Sequence, residues 1–113
     1  MIIYSGKRKI DIGEVKSLGF FGRFIGLMFR SKMSLPLLFS FSKDVSLPIH
    51  SFFVFFPFLA VWTDENYRIV DSKVVYPFSF SVSSKKPFRH LIELPCAGKQ
   101  AKRFAFLVGK GKI

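Results

Sequence analysis

Residues 45–63 read VSLPIHSFFVFFPFLAVWT, 19 consecutive positions from Val45 to Thr63 without a formal charge. The run is as long as a membrane-crossing helix, which needs about 20 residues to cross a hydrocarbon core of about 30 Å. Its chemistry opposes that reading. Pro48 and Pro57 would break or kink a helix, His50 and Ser51 are polar, and the apolar residues are mostly aromatic or β-branched. Two buried strands with a bend near Pro57 explain the prolines and need no lipid. The stretch therefore predicts a mainly β fold, with a membrane span disfavoured.

The flanking residues extend this pattern. Asp64-Glu65-Asn66 is turn chemistry, and Tyr67 to Val70 resumes a strand, so Ala60–Thr63 and Tyr67–Val70 are expected to pair as a hairpin continuing through Lys73–Tyr76. Pro77 to Pro87, with four serines and the adjacent Lys85 and Lys86, reads as a long loop, and Phe88–Leu94 as another strand. Leu35–Phe41 is a strand candidate upstream. Met1–Tyr4 and a segment with Ile10, Ile12 and Val15 around Gly13 read as two further strands joined by a turn at Gly6-Lys7, with Asp11 and Glu14 facing water. Two segments break the β pattern. Leu18, Phe21, Ile25 and Met28 share a helical face behind Ser17, which is placed to cap it, and Ala97–Phe104 fits one or two helical turns.

The chain has 113 residues, half of them hydrophobic and 16 of them Phe. That length suits one small domain burying roughly two-thirds of its unfolded surface. The expected architecture is a compact barrel-like or sandwich-like β domain with one or two short helices. Cys96 is the single cysteine, so no internal disulfide forms. Met1–Gly6 runs directly into Lys7-Arg8-Lys9, the reverse of a signal peptide's order, and a cytoplasmic address is expected.

Several strings, in order, resemble the family known as domain of unknown function 192. Gly26-Leu27-Met28-Phe29-Arg30 looks like that family's Gly-Leu-Met-x-Arg string, and Leu37–Phe41 is similar to its apolar strand ending in Phe-x-Phe. Ile49–Val54 resembles its His-Thr-Phe-like strand, Phe56–Asp64 its Pro-apolar-Asp strand and turn, and Leu91–Pro95 with Ala97-Gly98 and Val108-Gly109 its closing elements. The resemblance spans about residues 10–113 and implies a compact, mainly β domain with a short helix. It carries over no established activity. This chain also departs from the pattern. Leu59 stands where the family has an Asp, Val54 and Phe55 replace a Met and a basic residue, Lys110 replaces an Asp, and the Pro95–Gly98 segment has an extra residue.

Candidate chemistry is sparse. His50 and Cys96 are the residues that invite a nucleophile–base pair, but Cys96 follows a proline in an apolar stretch and reads as buried and idle. His50, His90 and Cys96 lack paired metal-ligand spacing, so no metal site and no cofactor are expected, and His90 reads as a surface residue. Glu93 alternates with Ile92 and Leu94, sharing a face with Leu91; an acid inside a small β domain needs a cation, and Arg30 is the natural partner. The pair reads first as a structural ion pair locking helix to sheet; as an alternative, His50, Glu93 and Arg30 are the candidate ligand-binding residues.

The charge is the other signal: 18 Lys and Arg against seven acids give +11. Lys85, Lys86, Arg89, Lys99, Lys102 and Arg103 cluster toward the C-terminal end, interleaved with Phe88, Phe104 and Phe106. Basic residues among aromatics suit a polyanion or single-stranded nucleic acid, although those phenylalanines are better explained as core. Three functions follow. A small non-enzymatic ligand- or partner-binding domain is favoured, ahead of a nucleic-acid accessory protein and an enzyme with its site near His50 and Glu93.

Overall fold

The computed structural model describes residues 1–17, 35–49, 54–79, 81–98, 101, 102 and 104. Among these residues seven strands run in chain order: β1 (Ile2–Ser5), β2 (Arg8–Asp11), β3 (Lys16–Ser17), β4 (Leu37–Val45), β5 (Phe58–Thr63), β6 (Ile69–Val75) and β7 (Phe88–Pro95). β1 and β2 form a two-stranded antiparallel sheet, and the others a five-stranded sheet ordered β3-β4-β7-β5-β6. Every pairing in the larger sheet is antiparallel except β3 with β4. The expected mainly β architecture is what the chain adopts, and helical backbone among the described residues occurs at Ala101, Lys102 and Phe104, inside the segment predicted for it.

β5 explains the charge-free run. It lies between β7 and β6, and all six of its residues are buried. Phe58, Ala60 and Trp62 point into one core with Leu37, Phe39, Val54, Phe56, Val75, Phe88 and Leu91. Leu59 and Val61 point into a second core with Ile3, Ile10, Ile12, Ile92, Leu94, Cys96, Ala101 and Phe104. A strand covered on both faces has no solvent side on which to place polar residues, so its sequence reads as a continuous apolar string. Of the uncharged stretch, Val45 ends β4 and Phe58–Thr63 form β5. Among the described residues, no helix is long and apolar enough to cross a membrane.

The β1–β2 hairpin caps the second core with Ile3 and Ile10. Its two-residue turn places Gly6 at φ 61°, a backbone conformation that glycine adopts without steric cost. The hairpin is tied to the larger sheet where the Tyr4 N–H donates to the Tyr67 carbonyl at 2.9 Å. The Arg68 guanidinium also donates to the Gly6 carbonyl at 3.0 Å while lying over the Tyr4 ring.

Three expectations are corrected or displaced. β2 stops at Asp11 instead of running on toward Val15, because the Asp11 carboxylate accepts the Gly13 N–H and Gly13 turns the chain at φ 77°. The strand expected before Pro57 is reduced, among the described residues, to a single bridge between Ile49 and Val82; Val54–Pro57 is irregular although Val54 and Phe56 are buried. The helix expected over Leu18–Phe29 lies outside the described residues.

Candidate functional site

The two faces of β7 carry different chemistry. Leu91 belongs to the first core, and Ile92 and Leu94 to the second, so the alternation expected from the sequence holds and Glu93 shares its face with Leu91. In register, Glu93 sits between Leu37 of β4 and Ala60 of β5. Trp62 pairs with Leu91, which makes it the diagonal neighbour of Glu93 on the same face. Ala60, the smallest side chain on that stretch of β5, lies between Phe58 and Trp62.

Glu93 is 6% exposed, and burial pushes its carboxyl up to about 8. Removing an ionised carboxylate from water is so costly that the group holds its proton instead. At neutral pH Glu93 is therefore mainly a neutral carboxylic acid, able to donate one hydrogen bond and accept others. Beside it, Trp62 is fully buried and its Nε1–H, a donor with no acceptor capacity, has no hydrogen-bond partner among the described residues. Two buried polar groups thus share one face in a core that is otherwise apolar among the described residues.

Of the expected ligand-binding residues, Glu93 is placed at the centre of the sheet, whereas Arg30 and His50 lie outside the described residues. No ion pair joins Glu93 to a cation among the described residues. Position 59, where the resemblance implies an acid, points into the second core as Leu59, on the opposite face from Glu93. An Asp there would not line the same site in this chain.

Arg89 is held by Asp44 at 3.2 Å and lies 3.9 Å from Glu65. Lys85, Lys86 and Lys102 are exposed, and Lys99 and Arg103 lie outside the described residues. Phe88 and Phe104 are each 1% exposed, so neither is open to a stacking base. Cys96 is buried and its thiol is pushed up to about 11, which leaves it protonated and unreactive at neutral pH.

A second constellation was not signalled by the sequence. His90, expected on the surface, is half-buried, and its ring stacks on Tyr67 at 4.1 Å between centroids and 10° between planes. Ser40 lies directly opposite on β4, with its Oγ 2.8 Å from His90 Nδ1. Fifty positions separate the two residues, and only the β4–β7 register brings them together. Burial and then the Arg89 charge lower the imidazole from its usual value, opposed by a backbone hydrogen bond at Glu65 and the Asp64 charge.

No protein-family model matches the chain. It is 33% identical over 98 residues to a UPF0127 protein from Thermococcus sibiricus, an alignment covering 84% of this chain and 63% of that protein. The chain thus spans less than two thirds of that relative's length. Two solved structures share the fold. One is a candidate transcription regulator from Sinorhizobium meliloti, with a TM-score of 0.72 and 21% identity over 92% of this chain and 82% of that one. The other is a protein of unknown function from Novosphingobium aromaticivorans, with a TM-score of 0.67 and 14% identity over 96% of this chain and 76% of that one. Such identities speak for fold alone. The resemblance drawn from sequence strings holds in its coarser form: the chain is similar to an uncharacterised protein.

Proposed function

We propose that this chain is a small ligand-binding domain whose site lies on the first-core face of the large sheet, centred on Glu93 and Trp62. The observation that carries the reading is the pair of buried polar groups: a protonated carboxyl and an indole N–H without a partner among the described residues, diagonal neighbours beside the small Ala60. A buried donor without a partner costs about 1–3 kcal/mol, and a ligand that satisfies it recovers that amount. Arg30 and His50 complete the proposed set from the sequence. The reading further takes the chain as a single cytoplasmic domain of the family known as domain of unknown function 192.

The test is a thermal-shift screen of the full chain against small carboxylic acids, amides and nucleosides, repeated on Glu93→Gln and Trp62→Phe. A ligand class that raises Tm in the unaltered chain and loses that effect in both variants is the expected result. A panel without any shift, or shifts retained in both variants, refutes the site.

A second reading, a nucleic-acid accessory protein, draws on the +11 charge, the exposed Lys85, Lys86 and Lys102, and the description of the Sinorhizobium protein. It ranks below the first because Phe88 and Phe104 are occupied in the cores and Arg89 is paired with acids.

A further inference from the structure

We infer that Ser40 and His90 form a nucleophile–base pair that takes acyl groups from small activated esters, at a site separate from Glu93. The geometry is the argument. Ser40 and His90 are direct partners in the β4–β7 ladder, their Oγ and Nδ1 atoms are 2.8 Å apart, and Ser40 is exposed. That distance is within the range a general base needs to take a hydroxyl proton.

The surroundings hold the base ready. Tyr67 stacks flat on the imidazole and fixes its plane, and Tyr67 itself occupies a left-handed backbone conformation at φ 61°. A bulky residue in that region is held there by its neighbours at some cost, a pattern that clusters at functional sites. Burial and then Arg89 lower the His90 imidazole from its usual value, which favours the neutral ring, and the tautomer the proposal uses is the one whose Nδ1 accepts from the Ser40 hydroxyl. With Nδ1 accepting, the proton of the neutral ring lies on Nε2. The backbone hydrogen bond at Glu65 and the Asp64 charge offset part of that lowering, the direction in which the third group of nucleophile–base–orienter sets acts. The β4–β7 register shifts between Ser40 and Val45, so the ladder is irregular immediately after the nucleophile.

The chemistry closes without an added reagent. Ser40 Oγ bonds to the ester carbonyl carbon as its proton passes to His90 Nδ1. The bond from that carbon to the leaving oxygen then breaks, and the proton leaves with the alcohol or phenol. Water attacks the acyl-serine, gives a proton to Nδ1, and releases the carboxylic acid as the proton returns to Ser40. His90 shares its face of β7 with Ile92 and Leu94, opposite Glu93, so the reaction is independent of the proposed ligand site.

The test exposes the full chain to p-nitrophenyl acetate near neutral pH, following nitrophenolate release and locating the acyl adduct by peptide mass mapping. Acylation of Ser40 is expected, abolished in Ser40→Ala, slowed roughly 10²–10⁴-fold in His90→Gln, and unchanged in Ser42→Ala. No adduct on Ser40, or an equal rate in a folded His90→Gln variant, overturns the inference. If His90→Gln does not fold, the pH profile of the unaltered chain decides. Acylation must level off above an imidazole titration lying below 6.5, and a rate that keeps rising with hydroxide through neutral pH overturns the pair.

Discussion

Glu93 makes stability depend on pH in an unusual direction. Its folded-state carboxyl is raised to about 8 from an ordinary value of 4.5, so between those values the folded chain binds a proton that the unfolded chain does not. Stability is then fully present below about pH 4.5 and falls as pH rises toward 8, by at most about 1.4 kcal/mol per pH unit. Urea midpoints measured across that window should decline with pH in the unaltered chain, and Glu93→Gln should flatten the decline. An equal slope in the variant would assign the dependence to other groups. Alternation along Leu91-Ile92-Glu93-Leu94 was enough to place this acid on the Leu91 face. Its neighbour Trp62 was not legible, because diagonal contact depends on the β5–β7 register, which no local pattern encodes.

At the scale of elements, the β5–β6 hairpin shows what short-range chemistry specifies. Asp64 Oδ1 accepts the N–H groups of Asn66 and Arg68 at 2.8 and 3.0 Å, and the Asp64 N–H donates to the Arg68 carbonyl. An Asp at this position closes the turn with its own side chain, which is why the Asp64-Glu65-Asn66 string predicted the hairpin. Asp64→Ala leaves two backbone donors to water and should cost about 1–2 kcal/mol, read as a lower urea midpoint at unchanged slope. No loss of midpoint would mean that the turn is held by the Tyr67 backbone and the strands alone. The long loop from Tyr76 to Pro87 was equally legible from its serines and prolines. Its anchors were not: the Lys85 N–H donates to the Asp71 carboxylate, and Val82 bridges to Ile49. Both join residues whose nearness exists only after the sheet forms.

Across the whole molecule the +11 charge is a field, and its effect on partners is expected to be nonspecific. Binding to heparin or single-stranded DNA should weaken steeply as salt rises, with no preference among sequences, in a mobility-shift titration. A sequence preference that survives high salt would instead promote the nucleic-acid reading. Composition and patterning by themselves determined the β class, because Phe-rich, proline-broken apolar runs suit strands buried on one or both faces and the Asp64-Glu65-Asn66 string suits the turn between two of them. They also determined which residues were chemically eligible: one thiol, two histidines and few acids. Tertiary structure alone decided which of those meet. It inserted β7 between β4 and β5, sending Glu93 to Trp62 on one face and His90 to Ser40 and Tyr67 on the other. The physical reason is that strand order and register follow from burying two apolar faces at once, a condition on the assembled sheet that no single segment carries.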